Sequence, residues 1–186
     1  GWKYYLDEAE QEPEVEAQLA KLREEYKTVS PDKIKVIDPC MGSGHILVYA
    51  FEVFYQIYLS LGYTPEQIPE EILTHNLYGL DIDDRAKQLS ILSAMLVARE
   101  HDKNIFNKDI QLNITSVAES NGMSGMVDVL RGESRDIAEY LVDTFRDAKE
   151  YGSVLRVKAQ DYSKLESDID ELSPLDRGLY AVKAKQ

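Results

Sequence analysis

A short β-branched run that ends in an acid, followed by two glycines and a long apolar run, constrains the fold of this chain most. Residues 34–38 read IKVID, Pro39 ends the run, and Gly42 and Gly44 follow. Residues 45–61 are rich in apolar side chains over a length that is typical of a helix. A strand, a glycine turn and a helix together predict the first half of a βαβ unit.

The helix over residues 45–61 is apolar on more than one side. We predict that it ends at Gly62, because glycine adopts the left-handed conformation that closes many helices. Steps of three and four residues predict the side of the helix that is buried, which comprises Ile46, Tyr49, Ala50, Val53, Phe54, Ile57 and Leu61.

The alternation of strands and helices continues along the chain. Residues 77–82 predict a second strand whose acid is Asp81, and residues 110–117 predict a third strand. A helix is expected between them, from Arg85 to about Glu100. Three strands that alternate with two long helices predict an α/β protein with a doubly wound, mostly parallel, Rossmann-like sheet.

The second long helix contains the segment LSILSAMLVA over residues 89–98, which is apolar nearly all round. We therefore expect this helix to be buried, with Ser90 and Ala94 small enough for a close approach to the sheet. Asp84 is expected to cap its first turn, because aspartate accepts hydrogen bonds from unpaired backbone N–H groups there.

The chain is predicted to have three parts. Residues 1–30 form an N-terminal helical segment, residues 31–120 form the α/β part, and residues 121–186 form a helical or inserted region. Within this last part, residues 134–150 predict an amphipathic helix and residues 153–157 predict another strand.

Charge and cysteine content exclude several kinds of protein. The chain has 21 Lys and Arg against 34 Asp and Glu, a net charge of −13, so we expect no basic surface that binds nucleic-acid phosphates within it. A single cysteine excludes an internal disulfide. We recognise neither a transmembrane segment nor a secretory signal, and a cytoplasmic location is expected.

The turn DPCMGSGH over residues 38–45 has four interpretations. A dinucleotide-binding turn would have a third glycine where Leu47 stands, and a phosphate-binding loop would have Gly-Lys-Ser/Thr. A structural turn without a ligand stays open. The fourth interpretation is a cofactor without phosphates, because the Asp38 carboxylate attracts a sulfonium or an α-amino group and repels phosphates. Asp81 can accept hydrogen bonds from ribose hydroxyls, so the two acids favour S-adenosyl-L-methionine.

Two motifs identify a family that the chain resembles. Residues 38–45 resemble motif I of N6-adenine DNA methyltransferases, Asp-Pro-x-x-Gly-Ser-Gly, and residues 78–86, YGLDIDDRA, are similar to their motif II. The segment over residues 45–63 is similar to the large adenine methyltransferases of phage-growth-limitation (BREX) defence systems and to type IIG restriction–modification enzymes. The resemblance covers residues 30–120.

The resemblance implies an S-adenosylmethionine-dependent DNA adenine methyltransferase of restriction–modification or phage defence. Its partners would be DNA and other subunits of such a system. Asp38 would face the methionine part of the cofactor, Asp81 would hold the ribose, and Ile82 would pack on the adenine. Glu119 is the candidate for an acid that contacts the adenine amino group. The implied cofactor-binding residues are Asp38, Pro39, Cys40, Met41, Gly42, Ser43, Gly44, His45, Asp81, Ile82 and Glu119.

The catalytic motif of that family, Asn/Asp-Pro-Pro-Tyr/Phe, does not occur in the sequence, and none of the six prolines are adjacent. We therefore assign no catalytic residue, and we expect the chain to be an inactive, incomplete part of a longer enzyme. An RNA or protein methyltransferase with the same cofactor fold and a non-enzymatic interaction domain stay as alternatives.

Single residues allow other chemistry. Pro39-Cys40 resembles the nucleophilic Pro-Cys of cytosine-C5 methyltransferases, but a glycine turn and a long helix should not follow that dipeptide, so we expect Cys40 to be a small buried residue. Asp81 and Asp83 lie on one side of the predicted strand and could bind a metal ion as an Asp-x-Asp pair. We prefer the interpretation in which Asp84 caps the helix and Asp83 is a solvated surface residue.

Overall fold

A computed structural model describes residues 9–172 of the chain. Three parallel strands form one sheet in the order β1-β2-β3, with β1 at Val36–Asp38, β2 at Leu77–Asp81 and β3 at Asn113–Ser116. The helices are α1 (Pro13–Tyr26), α2 (His45–Ser60), α3 (Ile68–Glu71), α4 (Asp84–His101), α5 (Ser124–Val129), α6 (Gly132–Thr144), α7 (Ala148–Tyr151) and α8 (Ser163–Glu171). The predicted α/β fold is confirmed.

Helices α2 and α4 pack against each other and against one face of the sheet. The register pairs Asp38 with Gly79 and Gly79 with Ile114, so these three residues share the face that α2 covers. Ile37, which precedes Asp38 in β1, points to the opposite face and is 65% exposed. The main hydrophobic core therefore lies between the sheet and the two long helices.

The buried side of α2 is not the predicted one. Leu47, Phe51 and Tyr58 are fully buried, whereas Ile46 and Leu61 are 61% and 58% exposed. Only part of the predicted set lies inside, because a helix that is apolar nearly all round has no polar side that would indicate its orientation. The predicted end of the helix is confirmed, since Gly62 follows with a φ of +86°.

Two expectations about α4 are wrong. Ser90 and Ala94 are buried as predicted, but Leu89 and Leu96 are about half exposed, so the helix is not buried all round. Asp83 rather than Asp84 caps the helix, because the Asp83 carboxylate accepts a hydrogen bond from the backbone N–H of Arg85 at 2.8 Å. Asp84 is the first residue of the helix itself.

A buried polar network holds the start of β2 against the chain before β1. The Asn76 side-chain amide donates to the carbonyl oxygens of Pro31 and Ile34, each at 2.7 Å. The Tyr58 hydroxyl donates to Asn76 Oδ1 at 3.1 Å, and both side chains are fully buried. Burial raises the pKa of Tyr58 to about 12.

The second half of the described chain has a small core of its own between α5, α6 and α8. The helix predicted over residues 134–150 is interrupted, since α6 ends at Thr144 and α7 begins at Ala148. The strand predicted over residues 153–157 is wrong: a 3-10 turn at Gly152–Val154 is followed by irregular chain. Within residues 9–172, no helix combines the length and apolar character needed to cross a bilayer.

Candidate functional site

The glycine turn after β1 needs both of its glycines. Gly42 and Gly44 have φ values of +53° and +82°, a region that other residues rarely adopt. A Cβ on Gly44 would lie 2.9 Å from Ser90 Oγ and 3.1 Å from Ser90 Cα, so α4 approaches the turn closely. Ser90 Oγ also donates to the Gly42 carbonyl oxygen at 2.8 Å. The small residue on α4 and the glycines therefore form one tightly packed unit.

Asp81 joins the end of β2 to this turn. Its Oδ2 accepts from the Gly42 N–H at 2.8 Å, and its Oδ1 accepts from the Asp83 N–H at 3.0 Å. Burial opposes ionisation of this carboxyl, but the backbone N–H groups of Asp83, Gly42 and Ile82 outweigh it and lower the pKa of Asp81. Asp81 is therefore an ionised acceptor held in one orientation.

The residues at the end of β1 lie deeper. Asp38 is 7% exposed, and its carboxylate accepts from the Cys40 N–H at 3.1 Å. The side chain of Met41 is buried in the core, where its sulfur lies over Gly79 of β2. The Met41 N–H donates to the Leu80 carbonyl oxygen at 3.1 Å, which fixes the turn on the sheet.

A cleft of about 330 Å³ opens beside the carboxyl ends of the strands. Ligand sites of α/β sheets are found at these ends, and the volume is within the range of small-molecule pockets. The lining residues are Pro39, Cys40, Leu80, Asp81, Ile82, Val117, Lys149, Glu150, Tyr151 and Gly152. The cleft thus combines apolar surface with carboxylates from two segments.

Some of the predicted cofactor-binding residues line this cleft, and others lie away from it. Pro39, Cys40, Asp81 and Ile82 line it. The other predicted residues are within the turn, in the core, at the start of α2 or after β3, and they do not line the cleft: Asp38, Met41, Gly42, Ser43, Gly44, His45 and Glu119. Cys40 is exposed rather than buried, contrary to the expectation for this residue.

Residues 149–152 of the lining were not predicted. They come from the break between α6 and the 3-10 turn, far along the chain from the glycine turn. Gly152 is the residue of this segment that stands out in the sequence, but it predicts only the end of a helix and not a place in the cleft. Its φ of +54° and the close approach of Ile82 show a packed turn, since a Cβ there would lie 3.3 Å from Ile82 Cγ2.

The acids at the end of β2 and directly after it are engaged with backbone N–H groups. Asp81 accepts from backbone N–H groups and Asp83 caps α4. Across the described part of the chain, His, Cys, Asp and Glu side chains form no group of three or more that could hold a metal ion.

Comparison with known proteins identifies the family. Residues 8–121 match the family model described as MmeI, DNA-methyltransferase domain. The chain belongs to this family of DNA-methyltransferase domains. The resemblance inferred from the two motifs is thereby confirmed.

Two named relatives extend the match beyond the family model. The adenine-specific methyltransferase BrxX of Escherichia coli O9:H4 (strain HS) is 37% identical over 91% of this chain and 16% of its own length. The adenine-specific methyltransferase PglX of Lacticaseibacillus casei (strain Zhang) is 36% identical over 83% of this chain and 13% of its own length. The chain thus spans only a small part of the length of each relative.

Proposed function

We propose that this chain is the S-adenosyl-L-methionine-binding part of a DNA adenine N6-methyltransferase that acts in restriction–modification or phage defence. The observation that carries the proposal is the cleft at the carboxyl ends of β1 and β2, beside the glycine turn that Asp81 organises. Family membership and the names of the two relatives support methyl transfer to DNA adenine. The doubly wound sheet and the division at residues 30 and 120 stay predictions.

The charges around the cleft favour a cofactor without phosphates. Asp81 is ionised and Asp38 lies just beneath the turn, so a phosphate there would face carboxylates. Each oxygen of a carboxylate has two acceptor sites, and a backbone N–H occupies one on each Asp81 oxygen. The remaining acceptor capacity of this carboxylate suits the hydroxyls of a ribose.

The chain's own residues would bind and orient the cofactor. Asp81 would accept from the ribose hydroxyls, Ile82 would offer apolar surface to the adenine, and Asp38 would attract the cationic methionine part. S-adenosyl-L-methionine supplies a methyl group on a positively charged sulfur when it is bound. The Gly42–Asp81 hydrogen bond sets the distance between the turn and the ribose site, so it determines where the rest of the cofactor lies.

We further propose that these 186 residues alone transfer no methyl group to DNA. The amino group of adenine needs to be flipped out of the helix and held in line with the methyl donor. The Asn/Asp-Pro-Pro-Tyr/Phe sequence that holds the base in the resembling family is absent, and a net charge of −13 repels DNA phosphates. A methyl-transfer assay with labelled cofactor and mixed-sequence DNA should give no product, and turnover above background would contradict this part of the proposal.

Calorimetric titration tests the cofactor. S-adenosylhomocysteine should bind to the chain, and Asp81→Asn should weaken that binding about tenfold or more, because a hydrogen bond to a charged group contributes about 1.5–3 kcal/mol. Asp136→Asn is the matched control, since Asp136 is exposed on α6 and does not line the cleft. Tight binding of NAD or ATP without a response to S-adenosylhomocysteine would refute the proposal.

The thiol of Cys40 allows ligand binding to be measured a second way, at the cleft itself. Cys40 is the chain's single cysteine, is exposed and lines the cleft. A maleimide should therefore label one position, and saturating S-adenosylhomocysteine should slow that labelling. An unchanged labelling rate, under conditions where calorimetry detects binding, would place the ligand elsewhere.

A further inference from the structure

The cleft has two walls that come from different parts of the chain. One wall is formed at the ends of β1 and β2, with Pro39 and Asp81 among its residues. The other, which we call the second wall, is residues 149–152. It follows α6, which packs with α5 and α8 around a core whose buried side chains differ from those of the main core. The second wall is therefore attached to a unit that has its own core.

A short segment after β3 joins this unit to the sheet. At its start, the Val117 N–H donates to the Asp81 carbonyl oxygen at 2.8 Å, so the chain is fixed beside the end of β2. At its end, the buried Ser120 donates its N–H to the Phe145 carbonyl oxygen at 3.1 Å, where α6 ends. Residues 118–119 lie between these two fixed points. The connection that leads from the sheet into the unit is thus a short link between two hydrogen-bonded residues.

An ion pair joins the second wall to the start of α4. Lys149 Nζ lies 3.6 Å from Asp84 Oδ2, and Asp84 Oδ1 accepts from the Ser116 hydroxyl at 2.5 Å. Ser116 ends β3, so Asp84 connects α4, β3 and the second wall. The Ser116 hydroxyl and the nearby lysines lower the pKa of Asp84, so its carboxylate is ionised at neutral pH.

The contacts that hold the second wall against the sheet are weak. The side chains of Lys149 and Asp84 are 38% and 68% exposed, and exposed ion pairs contribute little stability because water screens their charges. Gly152 packs against Ile82, but it has no side chain with which to extend that contact. Segments that open and close over binding sites are held by weak contacts of this kind.

We propose that the second wall is a hinged gate of the cleft, which pivots at residues 118–119 together with the unit of α5, α6 and α8 and is closed by the Asp84–Lys149 ion pair. Asp84 and Lys149 are positioning residues, because they act through the place of the wall. Closure of the wall is a property of the chain itself and is measurable without a ligand. The role of the gate for a nucleoside cofactor rests on the proposed function: the cofactor enters the open state and is enclosed in the closed one.

The thiol of Cys40 measures closure in the ligand-free chain, because Cys40 and Lys149 line the same cleft. The measured quantity is the ratio of the labelling rates with a bulky and a small maleimide, which corrects for changes in thiol reactivity. Lys149→Met should raise this ratio about two- to fivefold, which is the effect of one exposed ion pair. Asp84→Asn should raise it equally, and the double variant should show no further increase.

Lys164→Met is the matched control, because Lys164 forms an exposed ion pair with Glu133 and neither residue lines the cleft. It should leave the labelling ratio unchanged, and Lys149→Arg, which keeps the charge, should do the same. Sodium chloride at about 1 M should raise the ratio in the wild type but not in Lys149→Met. An unchanged ratio in Lys149→Met, or an equal rise in Lys164→Met, would overturn the inference.

Calorimetry then tests the role of the gate for the ligand. Lys149→Met should weaken S-adenosylhomocysteine binding about two- to threefold, because the population of the open state rises and that state lacks one wall of the site. An unchanged affinity together with a raised labelling ratio would show that the wall moves without enclosing the ligand, which would overturn its role as a gate. A wild-type chain that does not bind S-adenosylhomocysteine, but whose labelling ratio rises in Lys149→Met, would refute the proposed function and support the hinged wall.

Discussion

Gly79 lies in the middle of β2 directly under the glycine turn, where the structure has no space for a methyl group. A Cβ there would lie 2.4 Å from Met41 Sδ and 2.9 Å from Leu47 Cδ1. Met41 is 4% exposed and Leu47 is fully buried, so neither side chain can move into solvent. Gly79→Ala should therefore force the turn and α2 away from the sheet.

The magnitude follows from the overlap. Contacts between such atoms are comfortable at about 3.5–4.0 Å, so Met41 Sδ has to retreat by roughly 1 Å or more. Overpacking of a filled core costs about 1–3 kcal/mol. Replacing a strand glycine by alanine returns about 0.5–1 kcal/mol of backbone entropy. The free energy of unfolding should thus fall by about 1–2 kcal/mol.

Urea unfolding of a double-mutant cycle measures the overlap directly. Met41→Ala removes the sulfur that the new methyl group meets, so the double variant should be more stable than the sum of the single effects predicts, by about 1 kcal/mol. S-adenosylhomocysteine binding should also weaken in Gly79→Ala, because the displaced Met41 carries the backbone N–H that fixes the turn on Leu80.

Gly62→Ala is the control for backbone strain alone. Gly62 has a φ of +86°, but a Cβ there would meet nothing within 4 Å. It should cost about 1 kcal/mol whether or not Met41 is replaced. A change of less than about 0.5 kcal/mol in the free energy of unfolding of Gly79→Ala, or an effect that simply adds to that of Met41→Ala, would refute the predicted overlap.

Three further predictions concern the core, the turn and the second wall of the cleft. The pKa of Tyr58 is raised to about 12, so its hydroxyl stays neutral to a higher pH in the folded state than in the unfolded state. Stability should fall by up to about 2–3 kcal/mol between pH 10 and 12, and Tyr58→Phe should flatten that fall; identical pH profiles would contradict this. Ser90→Ala leaves the Gly42 carbonyl oxygen without its donor, so the free energy of unfolding measured with urea should fall by about 1 kcal/mol. An unchanged free energy of unfolding would count against this hydrogen bond. Gly152→Ala, at a φ of +54° and against Ile82, should weaken S-adenosylhomocysteine binding in calorimetry, and unchanged affinity would show that residues 149–152 do not form the site.

Much of the first half was predictable from the sequence because its signals are local. A β-branched run, an acid, two glycines and an apolar run follow one another without a break, and each indicates one element. The lengths and ends of α2 and β2 followed from the same kind of signal, with Gly62 and Asp81 as markers. The two motifs also indicated the family through their resemblance to those of N6-adenine DNA methyltransferases.

The buried side of α2 could not be predicted in the same way. Periodicity shows a buried side only where polar residues mark the other side, and this helix has few of them. Leu47 and Phe51 are inside because the glycine turn sets the rotation with which α2 leaves the sheet. The half-exposed Leu89 and Leu96 on α4 have the same cause, since the close contact of Ser90 with Gly44 determines which side of that helix faces inward.

The second wall of the cleft was decided by tertiary structure alone. The chain around Gly152 is far from β2 in sequence, and a glycine after an amphipathic helix indicates nothing more than a helix end. Its place against Ile82 depends on how α6 packs with α5 and α8, and on the Lys149–Asp84 ion pair. Local patterns record what each segment prefers, whereas contact between segments depends on the shapes of both surfaces and on the angle at which they meet.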